Sequence, residues 1–457
     1  MVSKWKELRL DEVTELIVDC PHSTPKWTDE GIVVLRSNNI KNGRLDVSSP
    51  SYTDQDGYEK RVKRAVPQAG DLVLTREAPM GEVCQIPEGL KCCLGQRMVL
   101  IRVKEEIIDS KYLLYTLQSP YLQYQISWNE GTGTTVSNIR IPNIKAFQIP
   151  TPPIAEQKAI AHILGSLDNK IEFNRQMNET VEAMAQALFK SWFVDFDPVI
   201  DNALLKGKAI PEPLKQRVEL RQAQLDSGKA KTHSEINSLF PSEFEFTEEL
   251  GWIPRAWRAG DLGEYVDVKR GGSPRPIQDY LAPEGLHWVK ISDATASNSR
   301  FIVSTKQFIK PEGLKKTTLL KRGALILSNS ATPGLPKFLD IDACIHDGWL
   351  HFPKKETLTD FYLYQLFLVI RKELLMQGNG SVFTNLKTDI LKNHTTVIPS
   401  VDILDYFDAL ITPMHKKMHS IQLNSDSLAK LRDTLLPKLM SGELRIADAE
   451  KLVAEGI

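Results

Sequence analysis

The chain has 457 residues, 42% hydrophobic and 25% charged, with 57 Lys and Arg against 58 Asp and Glu. That composition suits two or three globular domains with real cores, and it excludes a bilayer-spanning helix, because no apolar run approaches the roughly 18 residues required. The even charge balance lacks the basic excess of a typical nucleic-acid binder, so any DNA surface must come from local clustering.

The polar start, Met1 to Arg9, has no signal-peptide core, and a cytoplasmic location is expected. Five cysteines without a CxxC pair argue for buried thiols over a disulfide frame or a zinc site. The nine histidines are scattered, with no HExxH-like spacing.

In chain order, the strand-like Val33-Val34-Leu35 ends in Arg36, Asn38, Asn39 and Lys41. A basic cluster (Lys60, Arg61, Lys63, Arg64) precedes Gly70-Asp71-Leu72-Val73-Leu74-Thr75, a predicted strand followed by Arg76 and a Pro79-Met80-Gly81 turn. Cys93-Leu94-Gly95-Gln96-Arg97 follows, then a helix-like stretch around Lys111-Tyr115. A Gly-rich turn carrying Thr132, Thr134 and Thr135, and then Ile149-Pro150, close the segment.

From Ala155 to about Trp192 the chain predicts one long helix. Ile160, Leu164, Leu167, Ile171, Asn174, Asn178, Val181, Ala185, Leu188 and Trp192 step by alternating fours and threes, the heptad seam of a coiled coil. About 38 residues at about 1.5 Å each give about 57 Å, too long to lie on one small domain. Asp195 to about Glu249 is polar and Pro-broken, and reads as a linker with a short helix near Leu214-Leu225.

The remainder repeats the beginning, displaced by about 250 residues. Lys315, Lys316, Lys321 and Arg322 lead into Gly323-Ala324-Leu325-Ile326-Leu327-Ser328, followed by Pro333-Gly334, Cys344-Ile345-His346-Asp347-Gly348, Phe361-Tyr364, Gly378-Asn379-Gly380 and Ile398-Pro399. One match is easily accidental; the ordered series is the mark of a duplication. Either basic cluster alone reads as a solvated turn, and its recurrence raises a phosphate-facing surface as the alternative. The seam recurs as Phe407, Ile411, Met414, Met418, Ile421, Ser425, Leu428, Arg432, Leu435 and Leu439, with Pro413 and Pro437 expected to kink or break it near either end. The two helices are expected to pair antiparallel and hold the two globular parts apart, with Asn174 and Asn178 fixing register.

Three segments resemble the specificity subunits of Type I restriction-modification systems: Ile149-Pro150-Thr151-Pro152-Pro153-Ile154-Ala155-Glu156-Gln157-Lys158, Ser191-Trp192-Phe193-Val194-Asp195-Phe196-Asp197-Pro198, and Leu439-Met440-Ser441-Gly442-Glu443-Leu444-Arg445. The domain order matches as well, over the whole chain. The resemblance implies an α+β protein with two similar mixed α/β target-recognition domains, separated by two long helices in an antiparallel coiled coil. The expected divisions are a first recognition domain at 1–150, a central helix at 151–196, a linker at 197–250, a second recognition domain at 251–399 and a distal helix with the C-terminal segment at 400–457. It also implies partners: double-stranded DNA, two methyltransferase subunits, which bring S-adenosylmethionine, and motor-nuclease subunits, which use ATP and Mg. No membrane is expected among them.

No cofactor or metal is expected in this chain, and no catalysis by itself. The nearest string to an adenine-methyltransferase motif, Thr151-Pro152-Pro153-Ile154, has the wrong residue at both ends. Gly131-Thr132-Gly133 has a twin in the second half and reads as a repeated turn. Gly228-Lys229 lacks the flanking residues of a phosphate loop. Candidate DNA contacts follow from residue type and place: Arg36, Asn38, Asn39, Lys41, Arg76, Gln96, Arg97, Thr132, Thr134 and Thr135 in the first half; Lys290, Ser292, Asp293, Asn329, Ser330 and Lys337 in the second. For each, an exposed loop residue is the plain alternative. The rival functions are a coiled-coil scaffold that reads no DNA, and a self-sufficient methyltransferase or nuclease.

Overall fold

The structure, a computed structural model, describes residues 5–128, 138–229, 236–295, 299–377 and 385–456. It is mixed α/β and divides into two compact units, Met1–Asn174 with Leu423–Ile457, and Arg175–Gln422. Each of the two long helices, Ile154–Phe193 and Val401–Met440, contributes one half to each unit.

In the first unit, the run Leu72-Val73-Leu74 is buried on both faces because alternate side chains enter different cores. Leu72 and Leu74 join Val99 and Ile101 in one cluster, whereas Val73 joins Met98 and Leu100 in another. Their strands, Leu72–Thr75 and Met98–Val103, pair antiparallel at the centre of a four-stranded sheet with Thr14–Asp19 and Val83–Gln85. A second sheet places Ile32–Leu35 between Ser51–Thr53 and Cys92–Leu94, and runs parallel to the latter. Lys6–Arg9 pairs with Gln148–Thr151, tying the start of the unit to the strand before the long helix.

The second unit repeats this plan. Leu325–Ser328 pairs antiparallel with Trp349–Lys355 and Pro336–Leu339, and Leu286–Val289 runs parallel to Ala343–Ile345. Arg258–Asp261 pairs with Thr395–Ile398 as Lys6–Arg9 does with Gln148–Thr151. Again Leu325, Leu327 and Leu350 enter one core while Ile326 and Trp349 enter another. Tyr112 donates its hydroxyl to Pro150 O at 2.8 Å, and Tyr362 donates to Val397 O at 2.7 Å.

The seam residues are where the helix halves meet their units. In the first unit, Ile160, Leu164 and Leu167 share a core with Leu428, Leu435 and Leu439, and Ile171 packs on it half-buried. Asn174 donates to Asn424 Oδ1 at 2.8 Å, and Asp168 accepts from Arg432 at 2.8 Å. Position rises along one segment as it falls along the other, so the halves run antiparallel here. The polar break at Arg432 is therefore partnered inside the seam. In the second unit, Ala185, Phe189 and Trp192 pack with Phe407, Ile411 and Met418, flanked by Val181, Leu188 and Met414. Ile421 is buried, and Asn178 is half-buried.

Two sequence expectations change. Val401–Met440 passes through Pro413 and Pro437 as one helix of 40 residues. Pro413 is exposed, while the adjacent turn is held by fully buried Ile411 and by the Thr412 hydroxyl on Asp408 O at 2.7 Å, so packing outweighs the lost backbone bond. The polar segment after the first long helix contains the expected short helix, Lys215–Asp226, and a second one before it, Asp197–Leu205. Arg217 grips Asp197 and Arg221 grips Asp201, the latter pair buried, which clasps the two helices together. All five cysteines are free and buried, and burial pushes Cys84 and Cys92 up to about 12.

Candidate nucleic-acid interface

The strands Leu72–Thr75 and Leu325–Ser328 end in turns built by the same hydrogen bonds. Gly81 N donates to Thr75 O at 2.9 Å, and Gly334 N donates to Ser328 O at 2.8 Å. The hydroxyl closing each strand takes the next amide: Thr75 Oγ1 accepts from Glu82 N, and Ser328 Oγ accepts from Leu335 N, both at 2.9 Å. Between them Ala78 and Ala331 sit in the left-handed region, at φ 49° and 56°, which costs an alanine free energy and is often seen at binding sites.

The corner residues also match. Arg76 N donates to Arg97 O and Asn329 N donates to Gly348 O, both at 2.8 Å. Arg76 O and Asn329 O then accept the amides of Ile139 and Leu386 at 3.2 and 2.7 Å. The backbone scaffold is thus duplicated, and the side chains upon it differ.

In the first unit the structure brings most candidates together. Gly95 N donates to Leu35 O at 2.7 Å, placing Gln96 and Arg97 beside Arg36, and the Ser37 hydroxyl donates to Ala78 O at 3.1 Å. Arg36 is exposed and stacks over Trp27, 5.4 Å from the ring centre. Asn38, Lys41 and Arg97 are exposed, Arg97 lying 3.8 Å from Glu77, and half-buried Gln96 donates to His22 O. Two candidates face inward. Asn39 donates to Asp46 O and accepts from Arg36 N, each at 2.9 Å. Arg76, 9% exposed, places Nη1 at 2.8 Å from both carboxylate oxygens of Asp19 and Nε at 2.9 Å from Ile139 O. Thr132, Thr134 and Thr135 lie outside the described residues.

In the second unit, Lys290, exposed Ser292 and half-buried Asp293 form one turn, closed by Asp293 accepting from Lys290 N at 2.8 Å. Half-buried Ser330 follows Asn329, which is buried and donates to Asp347 O at 3.3 Å. Lys337 stands apart: its buried ammonium donates to Ser299 O, and burial lowers its pKa to about 8.

The basic clusters divide likewise. Arg61, buried, donates to four carbonyls, those of Leu94, Gly95, Ser23 and Pro21, and so ties two loops together. Its role was hidden in the sequence because burial of an arginine leaves no local pattern. Lys321 pairs with Asp342 and Arg322 with Asp340, each at 2.7 Å, Arg64 donates to Asp19 O at 3.1 Å and Lys316 to the Tyr280 hydroxyl at 2.8 Å; these four are exposed, as are Lys60, Lys63 and Lys315.

Among the described residues, no group of His, Cys, Asp and Glu side chains could hold a metal ion, and no helix is long and apolar enough to cross a membrane.

Comparison with known proteins gives a consistent picture. Residues 2–183 match the family model described as the Type I restriction modification DNA specificity domain. The chain is 32% identical over 450 residues to a Methanocaldococcus jannaschii protein assigned as the MjaX type I restriction enzyme specificity subunit, covering 97% of this chain and 94% of that one. It is 24% identical over 486 residues to the HindI specificity subunit of Haemophilus influenzae, covering 97% and 100%. The crystal structure of a Type-I restriction-modification S subunit from M. genitalium shares the fold, with a TM-score of 0.52 at 17% identity over 95% of this chain and 96% of that one.

Proposed function

The chain belongs to the Type I restriction-modification specificity family, and from that premise we propose that it gives a DNA methylation and restriction complex its sequence preference, with no chemistry of its own. Each unit reads one half of a split DNA site. The paired long helices form an antiparallel coiled coil that sets the unread gap and docks two methyltransferase subunits. S-adenosylmethionine is held by those subunits, and ATP and Mg by the motor-nuclease subunits.

The observation that carries this reading is the duplicated turn. The same hydrogen bonds after Thr75 and after Ser328 hold equivalent corners whose residues differ: buried Arg76 beside exposed Arg97 in one, buried Asn329 beside Gly348 in the other. One framework with exchanged side chains is the arrangement needed to read two unlike half-sites. Exposed Arg36, Asn38, Lys41 and Arg97 supply donors suited to guanine and adenine edges and to phosphates. Inward-facing Asn39, Arg76 and Lys337 shape the loops that carry the readers.

The test is co-expression with a cognate methyltransferase subunit, followed by mapping of methylated adenines across a plasmid. One split motif with a constant gap is expected. Methylation that ignores this chain would favour a scaffold, and methylation by the chain alone would favour an enzyme.

A further inference from the structure

The first unit carries an aromatic ring at its surface that none of the candidate readers accounts for, that of Trp27, 45% exposed. Its backbone is pinned on both sides. Thr28 N donates to Tyr52 O at 3.1 Å, and Lys26 O accepts from the Thr53 hydroxyl at 2.8 Å. The Arg36 guanidinium lies over this ring, its carbon 5.4 Å from the ring centre.

Arg36 is fixed at its root and open at its tip. Asn39 Oδ1 accepts from Arg36 N at 2.9 Å, which sets the turn from which the side chain leaves. The guanidinium itself makes one long bond, from Nη1 to Ser51 Oγ at 3.4 Å, and no carboxylate pairs with it among the described residues. Arg76, by contrast, is taken up by Asp19. A ring face attracts the cation without occupying its fork of N–H donors as a carboxylate would. The fork stays open, and guanine O6 and N7 are the base-edge acceptors whose spacing matches it.

The same corner recurs in the second unit without the ring. Gly31 and Gly285 sit at φ 130° and 140°, and an added Cβ would lie 2.6 Å from a strand carbonyl, that of Thr53 or of Ile309. Five residues after each glycine come Arg36 and Lys290, and Lys290 N donates to Asp293 Oδ2 at 2.8 Å as Arg36 N does to Asn39. Four residues before each glycine stand Trp27 and half-buried Leu281. The ring accompanies the guanidinium, whose planar fork has an orientation to hold. Leucine accompanies the ammonium, a point charge that has none.

We infer that Trp27 is a positioning residue for Arg36, and that Arg36 reads one guanine of the half-site bound by the first unit. Arg36 donates to O6 and N7 of that base, and the ring keeps the fork turned toward them. This rests on the reading of the chain as a specificity subunit, and adds to it a base and a residue that acts through another.

Methylation mapping with the methyltransferase partner first defines the motif; absence of a split motif overturns the proposed function and this inference with it. With the motif known, 7-deazaguanine, which lacks the N7 acceptor, replaces each guanine of a cognate duplex in turn. Binding by the full chain with its partner is then measured. At one guanine the replacement should weaken binding about tenfold. Arg36→Ala should bind the unmodified duplex more weakly by at least that factor and show no further loss at this position.

Trp27→Leu, which installs the residue of the second unit, should shrink the penalty at this guanine to about threefold. Trp27→Phe, which keeps a ring face and removes the indole N–H, should restore it. Penalties at guanines of the other half-motif should stay as in the unaltered chain, which also shows that the variants are folded. An intact motif with no guanine whose penalty depends on Arg36 overturns the proposal. A tenfold penalty that survives Trp27→Leu, or one that Trp27→Phe fails to restore, overturns the positioning role of the ring.

Discussion

Arg76 in the first unit and Asn329 in the second occupy the same corner of the same backbone turn, yet their side chains carry unequal structural weight. Arg76 is fixed by a two-oxygen contact with Asp19 and a bond to Ile139 O. Asn329 makes one long bond to Asp347 O, and its buried Oδ1 has no hydrogen-bond partner among the described residues. A duplicated scaffold can thus keep its backbone constant while the load moves from residue to residue. A candidate contact must be judged by whether its polar atoms are already taken.

The sharpest way to break this comparison is to truncate both corners. Arg76→Ala leaves the partly buried Asp19 with the exposed His22 ring, 3.1 Å away, in place of its two-oxygen contact and should cost about 2–3 kcal/mol, whereas Asn329→Ala should cost about 1 kcal/mol or less. Denaturant titration measures both, and equal losses would remove the distinction.

A smaller effect is expected at the seam. Asn174→Ala leaves the Asn424 amide unsatisfied and should cost about 1–2 kcal/mol, while the double replacement of Asn174 and Asn424 by leucine should be near neutral. A double variant as unstable as the single one would deny that the pair acts together.

Smaller still is a pH effect at Asp408, beside the Thr359 hydroxyl at 2.7 Å. Burial raises its pKa from 3.8 to about 6. Its protonated form therefore favours the fold, and that contribution fades as pH climbs through this window. Asp408→Asn should raise Tm at pH 7.5 by about 3 °C and do nothing below pH 3.8. A gain that persists in acid would point to another cause.

The smallest expected change in stability, within about 0.5 kcal/mol, is that of Arg97→Ala, on an exposed side chain. It should nevertheless alter the first half-motif and leave the second untouched, as read by methylation mapping. Altered preference in both halves would show that the units do not read separately.

Much of the fold was legible because periodicity and repetition survive in sequence. The fours and threes from Ile160 to Trp192 gave a helix within a residue or two of Ile154–Phe193, and the Gly-Leu strands recur at matching places. What stayed hidden depends on tertiary partners. Nothing local says that Arg61 folds inward onto four carbonyls, or that Lys337 is buried and Lys290 is not. The clasp of Asp197 and Asp201 with Arg217 and Arg221 did leave a trace, since each pair is spaced four apart on its helix. Pro413 misled because a proline's local penalty says nothing about the packed Ile411 beside it.

The most direct measurement is the methylation motif of a variant carrying one extra heptad in each long helix at the same level. Seven residues add about 10.5 Å, or about three base pairs of DNA. The gap should lengthen by that amount while both half-motifs persist. An unchanged gap, or a changed half-motif, would contradict the account.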